Sequence, residues 1–107
     1  MSKFNIKDVW NYCFGNKEDI YDYTGRLMKK SACGNPRSSF QPTIDHIRPL
    51  SQGDSDVLEN IIVCHCDTNE EKADSFPTWT TNGKTFQAKR VKGTSGEYKI
   101  TEKSSIR

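Results

Sequence analysis

Asp45 and His46 stand side by side, followed by Asn60, Asn69 and Lys72, and these five residues have types that could do chemistry together. A hard divalent ion such as Mg²⁺ takes oxygen ligands and keeps several waters, so one or two protein oxygens suffice to hold it. Asp45 offers a carboxylate and Asn69 an amide oxygen, which makes them the candidate metal ligands. A free imidazole takes a proton from water near neutral pH, which an ion-bound carboxylate does poorly, so His46 is the candidate general base. Lys72 could hold a phosphate, and Arg48, just past the Asp-His pair, is a candidate for backbone contact, as is Arg37 in the preceding loop. Together they suit metal-assisted attack of water on a phosphodiester.

Two strands and a helix must position them. Phe40 to Ile47 reads as a strand whose alternation puts Thr43, Asp45 and Ile47 on one face and Ile44 and His46 on the other. The two catalytic candidates therefore need a local twist to meet one phosphate. Residues 49–59 are polar, with Gly53 and two aspartates, and read as a connecting loop. Asn60 to Cys66 is the second strand. A short helix over 67–74 follows, Asp67 and Glu70 fitting a capping box, and Asn69 and Lys72 sharing one face. Residues 45, 46 and 69 are expected to belong to the site and not the core, so replacing them should barely move the melting temperature.

The pattern Asp45-His46 … Asn60 … Asn69-Glu70-Glu71-Lys72 resembles the motif of the HNH (ββα-metal) endonucleases. The likeness is closest to the HNH nuclease domains of type II CRISPR effectors and related phage and bacterial HNH proteins. Tyr23-Thr24-Gly25-Arg26 is similar to the turn that precedes the motif in many members. The resemblance covers about residues 21–77, half of the chain. It implies that Asp45 and Asn69 ligate one Mg²⁺ or Mn²⁺, that His46 is the general base and that Asn60 braces the metal loop. It also implies a DNA substrate, with RNA left open, and products ending in 3′-hydroxyl and 5′-phosphate. Many HNH proteins carry Cys-x-x-Cys zinc knuckles; here Cys13, Cys33, Cys64 and Cys66 form no such pair, so structural zinc is not expected.

Around this core, residues 5–14 read as a helix capped by Asn5, with Ile6, Val9, Trp10 and Cys13 on one face. Residues 20–28 read as a hairpin or tight turn around Thr24-Gly25, and residues 31–41 as a loop. Beyond Pro77, Asn82-Gly83 is a hairpin signal that opens a β-meander over about 78–103, with Lys89, Lys99 and Lys84 on its outer face. The expected fold is α+β: a ββα-metal core with a short N-terminal helix and a C-terminal hairpin or meander, in a single domain over residues 1–107.

Composition sets the frame. The 107 residues are 33% hydrophobic, which allows one modest core. No apolar run approaches a membrane span and no signal-peptide core follows Met1, so a soluble, cytoplasmic protein of a bacterial or phage-infected cell is expected. Residues 1–83 carry 9 basic and 12 acidic side chains, and residues 84–107 carry 7 and 2. A basic end suits phosphate binding, which makes Lys89 and Lys99 candidate nucleic-acid contacts. Nothing reads base edges recognisably, so a protein partner could supply specificity. The alternatives are a nucleic-acid-binding or regulatory protein that keeps the fold without useful catalysis, and a zinc-binding module using Cys33, Cys64 and Cys66.

Overall fold

The computed structural model describes residues 2–53, 55–94 and 96–103. Helix α1 spans Ile6–Phe14, and the Asn5 carboxamide oxygen caps it by accepting from the amides of Lys7 and Asp8. Gly15, at φ +64°, ends it where a side chain would be strained. Val9 and Trp10 are buried, but Cys13 is exposed, contrary to the predicted face. The buried stripe instead follows the i, i+4 row from Ile6 through Trp10 to Phe14, whose ring meets Trp10 edge-on at 4.8 Å.

Strands β1 (Asp19–Tyr21) and β2 (Leu27–Lys29) form a hairpin around the turn at Thr24-Gly25. Strand β3 (Pro42–His46) pairs antiparallel with β4 (Ile61–His65), Ile44 opposite Val63 and Asp45 opposite Ile62. Helix α2 (Cys66–Lys72) follows β4 directly. It is shorter than the predicted 67–74 and lacks the Asp67–Glu70 capping box. His65 is the N-cap: its Nδ1 accepts the Asp67 amide at 3.0 Å, meeting the orphan donor that a capping box would have served. Ala73, at φ +49°, closes the helix before Pro77 is reached.

Strands β5 (Thr78–Thr81), β6 (Lys84–Arg90) and β7 (Tyr98–Glu102) make an antiparallel meander. Asn82 and Gly83 both have positive φ, as a two-residue hairpin of the type I′ kind demands. Among the described residues the fold is thus α+β, with two α-helices and antiparallel sheets of two, two and three strands. Among the described residues, no helix is long and apolar enough to cross a membrane.

The consecutive run Ile61-Ile62-Val63 shows how the pieces join. Alternation sends Ile61 and Val63, with Ile44, into a cluster with Val9, Trp10 and Met28 beneath α1. It sends Ile62 the other way, into a cluster with Ile47, Tyr23, Trp79, Phe86 and Ala88 beneath the meander. The β3–β4 ribbon is therefore covered on both faces. Its short apolar run reads without alternation because each face packs against an apolar cluster.

A candidate active-site cleft at the free edge of β3

Among the described residues β3 pairs only with β4, so its other edge is open. A cleft of about 380 Å³ lies there, and Ile44, Asp45, His46, Asn69 and Asp74 line it together with Ser2. Asp45 and His46 leave the strand on opposite faces, as alternation requires. Both nevertheless line the same cleft. Asn69 projects from α2 across that edge. Its Nδ2 donates to Thr43 Oγ1 at 3.0 Å and to the Ile44 carbonyl at 3.1 Å. Both amide hydrogens are thereby used, which fixes the rotamer and leaves Oδ1 as the free acceptor at the cleft.

Asp45 is 7% exposed, and burial pushes its carboxyl up from the usual range, against the pull of Lys72. The Lys72 Nζ lies 3.3 Å from Asp45 Oδ2, within ion-pair distance, yet no hydrogen bond is directed at that oxygen. Instead Nζ donates to the His46 carbonyl at 3.2 Å and sits 5.0 Å from the Trp79 ring centre. Lys72 is 0% exposed. This corrects its predicted part as a phosphate contact: it shares a helix face with Asn69, but that face is pressed against β3 and Trp79. It is the buried counter-charge of Asp45.

The His46 ring turns the other way. Its Nε2 lies 2.8 Å from Asp56 Oδ1, and among the described residues Nδ1 has no partner. Asp56 also accepts from Ser2 Oγ at 2.8 Å and from the Lys3 amide at 2.6 Å. These three donors hold its carboxyl down at about 2. Sequence reading missed Asp56, because its loop has no periodicity and its partners lie 10, 53 and 54 residues away.

Asn60 is fully buried and spans the base of that loop. Its Oδ1 accepts the Arg48 amide, and its Nδ2 donates to the Arg48 and Ser55 carbonyls at 2.9 and 3.3 Å. The Arg48 guanidinium bonds the Gln52 carbonyl at 3.0 Å and lies over Phe76. Arg37 is exposed in the loop before β3 and does not line the cleft. Lys89 and Lys99 are exposed and directly opposite each other on the outer face of the meander. Lys84 departs from the expected outer face: it shares the parity of Phe86 and Ala88, and its Nζ donates to the Thr24 carbonyl at 3.2 Å.

Two other metal readings can be weighed by their donor sets. Ligand atoms of His65, Cys66 and Asp67 lie within 4.8 Å of one another. Both His65 nitrogens are engaged, however, Nδ1 by the Asp67 amide and Nε2 by the Ser39 carbonyl at 2.7 Å, so ligation would cost α2 its cap. All four cysteines are free thiols, and burial pushes the Cys64 thiol up. The Asp45–Asn69 pair differs. It offers two hard oxygens at one cleft, a buried carboxylate oxygen whose ion-pair partner Lys72 makes no well-aligned hydrogen bond to it and an amide oxygen without a partner among the described residues, which fits a hard divalent ion.

The family model described as HNH endonuclease matches residues 23–78, just over half of the chain. No curated protein and no solved structure gives a significant match.

Proposed function

Because the chain belongs to the HNH endonuclease family, whose nucleases depend on metal, we propose that it hydrolyses phosphodiester bonds in DNA at the β3-edge cleft. The β3–β4–α2 unit acts in this reading as a ββα-metal core. The observation that carries it is the Asp45 carboxylate, buried and ion-paired with Lys72 but with no well-aligned hydrogen bond at Oδ2, lining one cleft with Asn69 and His46.

Asp45 and Asn69 would hold one Mg²⁺ or Mn²⁺ there. When bound, the ion neutralises charge developing on the phosphate and at the departing oxygen. His46 Nδ1 takes a proton from the attacking water. The water oxygen bonds to phosphorus, the P–O3′ bond breaks, and the released 3′ oxygen takes a proton from solvent. Asn60 ties Arg48 and Ser55 together beside the cleft. Lys72 holds Asp45 in place from below and leaves phosphate contact to residues at the surface. Arg48 beside the cleft, with Arg37, Lys89 and Lys99 farther out, supplies sequence-independent affinity for the backbone. Sequence choice then falls to a partner or is weak.

The test is relaxation of supercoiled plasmid by purified protein in Mg²⁺, Mn²⁺, Zn²⁺ or EDTA. Nicking in Mg²⁺ or Mn²⁺ that EDTA abolishes is expected. DNA retention without nicking in any metal would instead favour a binding protein that keeps the fold.

A further inference from the structure

We propose that Asp56 is a positioning residue for His46, held in turn by residues 2–3, so that the Asp56 carboxylate fixes which imidazole nitrogen faces the scissile phosphate. This rests on the assignment of His46 as the base of the cleft.

A carboxylate can only accept, so the 2.8 Å contact requires the proton on His46 Nε2. In the neutral ring Nδ1 is then bare, and it is the nitrogen left without a partner. A histidine without such an acceptor divides its proton between both nitrogens and turns about its side-chain bonds. Asp56 removes both freedoms only if it is itself fixed. Ser2 Oγ occupies the same Oδ1 that meets His46, and the Lys3 amide occupies Oδ2. The Phe4 amide donates to Ser2 Oγ at 3.1 Å, and the Phe4 side chain packs against the core beneath α1. A line of contacts therefore runs from the core through residues 4, 3 and 2 to Asp56 and on to His46. The carboxylate lies opposite the ring nitrogen that would meet water, which suits orientation and not direct attack.

The experiment compares the parent with Asp56→Ala, Asp56→Asn, His46→Ala and the double variant His46→Ala/Asp56→Ala. Asp56→Ala should lower kcat by about 10–100-fold, the usual cost of an outer partner of a site residue, with KM and the Mn²⁺ requirement unchanged. Asp56→Asn, which keeps an acceptor for Nε2–H, should recover part of that loss. In the double variant the Asp56 effect should vanish, because a residue acting only through His46 has nothing left to act on. Nitrogen-15 NMR of the neutral His46 ring should show the proton on Nε2 in the parent and a mixture of tautomers in Asp56→Ala. Parental turnover by Asp56→Ala, or an undiminished Asp56 effect without His46, would overturn the proposal. Were the parent inactive in every metal, the nuclease reading would fail, and an unchanged tautomer in Asp56→Ala would sink the positioning role independently.

Discussion

At the scale of single residues, the pairing of Asp45 with Lys72 changes what substitution should do. A side chain that only ligates an ion can be removed without harm to the fold, and sequence reading expected that of Asp45. The structure corrects this: Asp45→Ala strands a fully buried ammonium, and breaking a buried ion pair costs about 3–5 kcal/mol. At roughly 4–8 °C per kcal/mol for a domain of this size, the melting temperature should fall by at least ~10 °C. Asp45→Ala/Lys72→Met, which removes both charges, should recover most of it by calorimetry. A single variant that melts with the parent would show that the pair contributes little. Removing His46 or Asn69 strands no fully buried charge, although each gives up contacts to Asp56 or to β3. His46→Ala should lose at least ~100-fold in nicking rate and bind Mn²⁺ like the parent, whereas Asn69→Ala should also require more metal. Isothermal titration with Mn²⁺ beside the nicking assay separates the two. Unchanged ion binding by Asn69→Ala would refute its assignment as a ligand.

At the scale of elements, one carboxylate ties the β1–β2 turn to the start of α2. Asp22 Oδ1 accepts from the Thr24 amide and hydroxyl and from the Arg26 amide. Its Oδ2 accepts the His65 amide at 3.0 Å and the Thr68 hydroxyl at 2.7 Å. Arg26 adds a bond to Thr68 and a two-pronged pair with Glu71, which also accepts from Thr81 and Asn82. In a chain without Cys-x-x-Cys pairs, this network joins turn, helix and meander. Burial opposes ionisation of Asp22, but the bonds from Thr68, Thr24, His65 and Arg26 outweigh it and hold the carboxyl below its usual range. A carboxyl lowered in the folded state stabilises fully above its unfolded value near ~4, and this is lost as pH falls through the folded value. Asp22→Asn should therefore lower the unfolding free energy from urea titration at pH 6 by about 1–3 kcal/mol, and by less at a pH below the folded value. Equal destabilisation at both values would mean that packing, not charge, is at stake.

At the scale of the whole molecule, the basic part of the sequence falls largely on the C-terminal meander. The outer side of the meander presents Lys89 and Lys99 across from each other, with Gln87 opposite Thr101 beside them. Like charges directly opposite in a sheet are destabilising, so this pairing costs the fold and suits a polyanion. Lys89→Ala/Lys99→Ala should raise the melting temperature slightly. It should also weaken DNA binding and reduce the slope of log K against log salt by about 0.9 for each phosphate that the variant no longer neutralises. Titrations at several salt concentrations measure this, and an unchanged slope would remove the face from the DNA interface.

The family and the order strand, loop, strand, helix were legible in the sequence, as was the set of residues proposed as ligands and base. All of them lie in residue type and in spacing over a few tens of positions, where alternation and helical period act. Tertiary structure decided which polar atoms were left without partners. Lys72 reads as a surface lysine on a polar helix, and only the closure of Trp79 and β3 around it makes it the buried partner of Asp45. Asp56 reads as loop filler until chain packing brings residues 2, 3 and 46 to it, and Asp22 until residues 65 and 68 arrive. Such contacts join positions 10 to 54 apart by way of surfaces that no local pattern encodes, because hydrogen-bond satisfaction is a property of the packed chain.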